Sequence, residues 1–589
     1  SEAAALALRQ SGGSKKEHCG NSKQGTAQLG SSRTGDVGEV CMRLLPIASQ
    51  RLWLLLPCVL VCLAETALAR SAGADSDSGK AGGIRWGVMS ASAALLAQML
   101  LDRQSRCEQD GAANTDEALT WREDEGLSKL VPLHPSPRSA EGQSKLASYT
   151  MAQVAARNTS SELWVAIDGY VYDLTRFVLK HPGGALPIMN MAGKDCTDVF
   201  ANYHPARVYK TMLPAYLIGQ VSDYQLYPHV AEFRAIRQEL LRRGLFETDL
   251  RFYAKLGAFL AFLFCTALWL TLSCSSTVAH AAGAAVMGIF WQQLAGVGHD
   301  LGHSGVSHRF KLDHLVGSTV GNALMGISTG WWKQNHNTHH VVCNSVENDP
   351  DIQHMPILAV SNRVFERPYW SSYYSKWVQL DAASKFLVGH QHILFYPLMM
   401  VARFNLYAQS WIMVLSKQQM HYRKTEAAAL TLYAAWVLAL ALSLPTWGQT
   451  AMWLLVSHAT AGLLHVQIVI SHWAMETYHG HAYNDETDEW FITQLKTTMN
   501  VATPPLLDWV HIGLQFQIEH HLFPRLPRHN LRKARELVRP LCAKHGIHYH
   551  EPSFWQANVE TLRALRSAAF AARESGARSM LWEAMNALG

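Results

Sequence analysis

The chain has 589 residues, of which 49% are apolar and only 16% charged, a balance poor in charge for a soluble protein of this size and typical of one that lives in a membrane. Its 51 Lys and Arg against 46 Asp and Glu leave a net charge of +5 spread along the chain, which gives nucleic-acid binding no support. The ten cysteines form no C-x-x-C pair, so free thiols in a reducing compartment are expected in place of a disulfide framework.

Residues 1–150 are rich in Ser, Gly, Ala and Gln, begin on serine, and read as a disordered or targeting leader. Within them, Met42-Arg43, the apolar stretch 52–63 and Ala67-Leu68-Ala69 have the charged start, short apolar core and small-residue end of a signal peptide. Met151 is a second candidate start.

From residue 151 to about 225 the pattern changes to short strands and helices. Leu163-Trp164-Val165-Ala166-Ile167, the turn pair Asp168-Gly169 and Tyr170-Val171-Tyr172-Asp173-Leu174 predict a β-hairpin. His181-Pro182-Gly183-Gly184 breaks the chain after a histidine, and a second histidine, His204, follows Val199-Phe200-Ala201-Asn202-Tyr203. This unit resembles a cytochrome b5 domain. The resemblance implies a small α+β fold that holds haem b through His181 and His204, an arrangement with no open iron position and so suited to electron transfer.

Residues 226–550 carry four runs free of Asp, Glu, Lys and Arg, at 256–274, 281–297, 427–444 and 451–470, each near the length needed to cross a hydrocarbon core. They predict two hairpins of transmembrane helices. A further run at 393–415 contains Arg403 and Asn405 and reads as an interfacial helix. Arg242, Arg243, Arg251, Arg309, Lys311, Arg525, Arg528, Arg532 and Lys533 fall on the side away from the hairpin tips, which places that side in the cytosol. A cleaved secretory signal would carry the cytochrome-like unit to the opposite side; a plastid-directed signal or initiation at Met151 removes the conflict. Residues 551–589 read as a C-terminal helical tail.

Three histidine clusters lie on the predicted cytosolic side: His299-Asp300-Leu301-Gly302-His303, His336-Asn337-Thr338-His339-His340 and Gln517-Ile518-Glu519-His520-His521. Each repeats histidine, or Gln517 and a histidine, at a three- or four-residue spacing that puts imidazoles on one face of a helix. Seven histidines exceed what one metal ion can use, so two ions are the simplest reading. Zinc suits imidazole but has no redox chemistry, whereas a fused haem donor needs an acceptor that changes oxidation state, which favours iron.

From residue 163 to about 539 the constellation resembles the cytochrome b5-fused "front-end" lipid desaturases, whose motifs H-x-x-x-H, H-x-x-H-H and a third box opening on glutamine recur here. The resemblance implies an all-α membrane domain with four transmembrane helices and a cytosolic helical cap. It implies two irons on His299, His303, His336, His339, His340, His520 and His521, with Gln517 and His472 as ligands or as partners of ligands. It further implies O2 as co-substrate, NADH acting through cytochrome b5 reductase, and a lipid substrate in the endoplasmic reticulum or, should the leader be a plastid signal, a plastid membrane. The segments 341–354 and 395–407 are most similar to the sphingolipid Δ8 branch, which makes a ceramide or long-chain base the expected substrate. Acyl-lipid or acyl-CoA Δ5, Δ6 and Δ8 desaturases share the boxes, and a b5-fused hydroxylase uses the same metals. A histidine-rich metal transporter would place ligands in mid-membrane instead.

Outside the boxes, His280, His458 and His465 are expected as structural groups near or in spans. His308, His354, His390, His392, His479 and His481 are expected in solvent or beside ligands. Trp331 and Trp332 are expected at the membrane interface, and Cys343 as a packing residue.

Overall fold

The computed structural model describes residues 146–418, 420–480, 489–577 and 580–586. Of the leader expected over residues 1–150, residues 1–145 lie outside the described residues, as does His481, whereas residues 147–149 form a strand of the first unit.

The first unit is a five-stranded sheet in the order β1-β5-β4-β3-β2, built from β1 (Ala147–Tyr149), β2 (Asn158–Thr159), β3 (Glu162–Ile167), β4 (Tyr170–Asp173) and β5 (Leu217–Val221). β1 lies ahead of Met151 and pairs parallel with β5; the other pairs are antiparallel. Asp168 (φ 49°) and Gly169 (φ 79°) both take the left-handed region, as a two-residue hairpin turn requires. Helix α1 (Met151–Ala155) starts on a reciprocal cap in which the Thr150 hydroxyl accepts from the Gln153 amide and the Gln153 side chain accepts from the Thr150 amide. Alternation along β3 sends Ala166 into one small core with Val154 and Val171, and Val165 and Ile167 into another.

That second core does not stop at the unit's edge. It runs through α2 (Leu186–Asn190) and α3 (Thr197–Tyr203) into Phe233 and Leu240 of α4 (Pro228–Arg242), and on to Val341, Trp490, Phe491 and Phe523 of the membrane part. Arg234 of α4 grips Asp198 of α3 through two hydrogen bonds, 2.9 and 3.0 Å long, while Phe233 stacks on Phe491 with ring centroids 4.7 Å apart. α4 therefore joins the two parts as packed structure.

The membrane part is built on α5 (Leu250–Leu272), α6 (Thr277–Gly302), α7 (Thr329–Val341), α8 (Gln391–Leu415), α9 (Arg423–Leu442) and α10 (Trp447–Val469). Among the described residues four helices are long and apolar enough to cross a membrane, but they are α5, α8, α9 and α10. Membership thus differs from the sequence expectation, which took α6 as a span and α8 as interfacial. α6, at 26 residues, is long enough, yet it packs between α5 and α10 and hides polar groups there, Gln292 bonding Gln467 at 2.8 Å and Gln293 the Trp509 carbonyl at 2.8 Å. A helix screened by neighbours does not need to be uniformly apolar. α8 buries its Arg403 completely, on the Tyr407 hydroxyl (2.6 Å) and the Met325 carbonyl (2.7 Å), so one charge does not bar it from an apolar setting.

Above the helices, a cap is formed by the hairpin of β6 (Tyr369–Ser371) and β7 (Lys376–Val378), α11 (Trp490–Thr497), α12 (Gln517–Leu522), α13 (Leu531–Lys544), α14 (Phe554–Glu574) and α15 (Trp582–Met585). α15 fastens the hairpin: Glu583 accepts from the Gln379 amide at 2.9 Å and Lys376 donates to the Asn586 carbonyl at 2.5 Å.

Candidate metal centre

The three clusters arrive on three separate elements. His299 and His303 end α6, whose position is fixed by Asp300: this buried carboxylate lies 3.1 Å from the Arg528 Nε and accepts from the Tyr253 hydroxyl at 2.8 Å. His336, His339 and His340 sit in the last two turns of α7. The start of α7 is pinned by the Ser328 hydroxyl, accepting from the Trp331 amide at 3.0 Å, and by buried Glu426, which accepts from the Gly330 amide at 3.0 Å and from Ser328 and Asn322. His520 and His521 belong to α12, and His472 lies in the turn after α10.

These elements bring the side chains into two groups. His299, His303, His336 and His520 have ligand atoms within 4.8 Å of one another, and so do His339, Cys343, His472 and His521. His340 adjoins the first group, its Nε2 lying 3.1 Å from that of His336 and 3.0 Å from that of His520. Gln517 adjoins the second, with its amide nitrogen 3.0 Å from the His472 Nε2.

The donor set fits two metal ions. His299 Nε2, His521 Nε2, His340 Nδ1, both His303 nitrogens and the Gln517 amide oxygen are buried without a hydrogen-bond partner, which is costly unless a cation takes them up. In the second group the far nitrogens are engaged: Asp349 lies 2.9 Å from His339 Nδ1, the Gln494 oxygen 2.8 Å from His521 Nδ1, and the Thr497 carbonyl 3.3 Å from His472 Nδ1. Such acceptors fix the tautomer and turn each Nε2 into the group, where that of His521 has no partner and that of His472 meets the Gln517 amide. Burial, with neighbouring rings adding to it, holds His303, His340, His472, His520 and His521 well below the ordinary imidazole value, and burial takes His336 down to about 4. Neutral rings are the form that binds metal. His339 differs: burial disfavours its charge, but the Asp349 carboxylate overcomes this and raises the ring, a contact that would also strengthen its donation to a metal.

In the first unit, His181 and His204 face each other with ring centroids 6.0 Å apart. Each Nδ1 donates to a backbone carbonyl, His181 to Gly184 at 2.8 Å and His204 to Phe200 at 3.1 Å, so their Nε2 atoms would be the ones to hold a haem iron. A Cβ at Gly183 would stand 2.9 Å from the His181 ring, so the turn needs glycine there.

A cavity of about 480 Å³ is lined by Tyr374 and Lys376 of the hairpin, by His299, His336, His472 and Gln517, and by Leu406 of α8 and Ile468 of α10. A largely apolar space of this size, with a few polar groups at one station, suits a lipid chain.

Several sequence expectations change. Trp332 lines the cavity and lies 4.5 Å from the His336 ring and 5.2 Å from that of His303, which makes it a wall of the metal centre in place of an interface anchor. Cys343, expected as packing, stands 3.4 Å from His472 Nδ1 within the second group. Both had a signal, since each is one helical turn from a box histidine. His465 lines the cavity, and so does His354, whose Nε2–H donates to the Asp351 carbonyl at 2.8 Å. His280 is structural, its Nε2 lying 2.9 Å from the Cys274 carbonyl.

Comparison with known proteins bears on both parts. Residues 150–222 match the cytochrome b5-like heme/steroid binding domain and residues 275–553 match the fatty acid desaturase family. An acyl-lipid (9-3)-desaturase of Borago officinalis is 37% identical over 443 residues, which are 75% of this chain and 98% of that protein. A delta(8)-fatty-acid desaturase 2 of Arabidopsis thaliana is 37% identical over 454 residues, covering 76% and 99%. A delta 8-(E)-sphingolipid desaturase of Kluyveromyces lactis is 36% identical over 405 residues, covering 66% and 69%. The chain belongs to the fatty acid desaturases, in the front-end form that carries a fused cytochrome b5 domain.

Proposed function

We propose that this membrane desaturase acts on the long-chain base of a sphingolipid at the Δ8 position, with haem held by His181 and His204 and two irons held by the histidine groups. His299, His303, His336, His340 and His520 take one iron; His339, His472 and His521 take the other, with Gln517 completing or hydrogen-bonding that site. The observation that carries the reading is the convergence of two groups of imidazole donors, several of them without a hydrogen-bond partner, beside a largely apolar cavity.

When bound, the iron pair supplies oxygen-dependent removal of two hydrogens from neighbouring carbons, and the haem supplies electrons one at a time. The chain's own residues set where this happens. Leu406 and Ile468 hold the chain by apolar contact, Trp332 closes the wall beside His336, and together they fix which carbons face the metal centre and keep water away. NADH, acting through a separate cytochrome b5 reductase, is the electron source. The endoplasmic reticulum, with the metal end of the bundle facing the cytosol, is the location these partners require.

Relatives that bear both sphingolipid and fatty-acid names support a second substrate reading, an acyl lipid desaturated near its carboxyl end. Expression in a yeast lacking both activities, with mass spectrometry of long-chain bases and fatty acids, separates the two. A new Δ8 long-chain base is the expected product; a Δ5, Δ6 or Δ8 fatty acid alone moves the assignment to acyl lipids, and a hydroxylated product overturns desaturation.

A further inference from the structure

Two helices of the membrane part reach the haem domain: α7, which carries three box histidines, packs on α2, and the short α11 packs on α3. α11 has only eight residues, Trp490 to Thr497. Its first turn packs against α3, the haem-domain helix that ends at His204, and Trp490, 3% exposed, lies in the same buried cluster as Met191 and Val199 of that domain. One turn later on the same face is Gln494, fully buried, whose side-chain oxygen accepts from His521 Nδ1 at 2.8 Å and whose amide reaches the His340 carbonyl at 3.4 Å. The helix closes on the Thr497 carbonyl, 3.3 Å from His472 Nδ1. α4 clamps it from outside, with Phe233 against Trp490 at 6.4 Å and His229 within 2.9 Å of Glu489. α11 thus packs near the haem-ligand helix at one side and is hydrogen-bonded to the His521 ring and the His340 carbonyl at the other.

We propose that α11 is an electron bridge of the enzyme, beside the direct contact of α7 with α2, with Trp490 as its haem-side end and Gln494 as its metal-side end. Electron transfer through packed, bonded atoms outruns transfer across water, so a docked bridge removes the need for the haem domain to search for its acceptor. Each crossing moves one electron: the haem iron passes from ferrous to ferric and one iron of the pair from ferric to ferrous. Two crossings supply the two electrons that, with two hydrogens from the lipid, two protons from solvent and O2, give two waters and the double bond. Trp490 mediates and is not itself oxidised. Gln494 is a positioning residue, holding the His521 tautomer while joining it to the bridge.

The proposal rests on the haem and iron assignment above. Its test uses the full chain in lipid nanodiscs, prereduced with dithionite and mixed with oxygenated buffer, following haem reoxidation by its visible absorption while haem and iron contents are measured separately. Trp490→Leu is expected to load both cofactors and to reoxidise about tenfold more slowly. Trp490→Phe, which keeps an aromatic ring, is expected to recover most of the rate. Phe246→Leu removes a different ring from the same buried cluster, one that packs on Arg237 of α4, and is expected to leave the rate unchanged. Val199→Ala thins the cluster from the α3 side, keeps the test readable should the leucine variant fail to load, and is expected to slow the same step severalfold. Wild-type rates in Trp490→Leu or Val199→Ala with both cofactors present, or equal slowing in Phe246→Leu, overturn the bridge. A wild-type protein that reoxidises its haem through the metal pair but makes no desaturated lipid counts against the functional reading instead, and leaves the comparison of rates intact.

Discussion

Arg528 lies 3.1 Å from Asp300, and both side chains are almost fully buried. The pair anchors the end of α6 that carries His299 and His303, and removing one partner strands a charge. Arg528→Met is expected to destabilise the protein by about 3–5 kcal/mol, as breaking a buried ion pair does. Thermal unfolding in detergent checks this, with iron content as the second readout; unchanged stability would mean that solvent or another cation reaches Asp300.

Glu426 has the same standing at the start of α7, where it accepts from Asn322, Ser328 and Gly330 and lies 3.2 Å from the His314 Nε2. Glu426→Leu leaves those donors unanswered in a buried place and removes a negative charge from a helix N-terminus. The expected loss is about 2–4 kcal/mol, together with weaker retention of iron, because α7 carries three of the box histidines. Calorimetry and metal analysis on the same preparation decide it.

The haem and iron sites are separate sets of residues, so they are expected to fail separately. His204→Ala should lose the Soret band of the protein and all turnover supported by the fused domain, while two irons stay bound. Iron lost in parallel with haem would show that the sites depend on each other for assembly.

Gly302 meets Trp332 so closely that an added Cβ would stand 2.0 Å from the indole. Gly302→Ala is therefore expected to push Trp332 toward the cavity, at about 1–3 kcal/mol of stability. The sharper readout is product distribution: a displaced indole should lower turnover of long chains before that of short ones, and an unchanged chain-length profile would remove Trp332 from the cavity wall.

Much of the centre was legible because its ligands obey local rules. His299 with His303, His336 with His340, and Gln517 with His521 stand one helical turn apart, and that periodicity survives in any helix regardless of fold. The same rule covered Cys343 and Trp332, where the residue type suggested packing or anchoring and tertiary placement decided otherwise. What stayed hidden were the groups that aim the ligands. Gln494, Arg528 and Glu426 act across long sequence separations, while Asp349 reaches back ten residues to His339, and nothing in their neighbourhoods marks these buried polar residues as partners of the ligand-bearing elements. Helix roles in the membrane were also only partly readable: α6 mixes glycine, histidine and glutamine because its neighbours screen it, and hydropathy cannot see neighbours.

The buried cluster that runs from β3 through α4 to α11 and α12 also bears on engineering. A haem domain cut at its last strand, after Val221, would leave Arg234 without Asp198 and Phe233 in a foreign setting. The exchangeable cassette between such enzymes is therefore the haem domain plus α4, and the recipient's α11 face must be rewritten to match it; chimaeras joined at the strand are expected to fold as two halves that no longer share a seam.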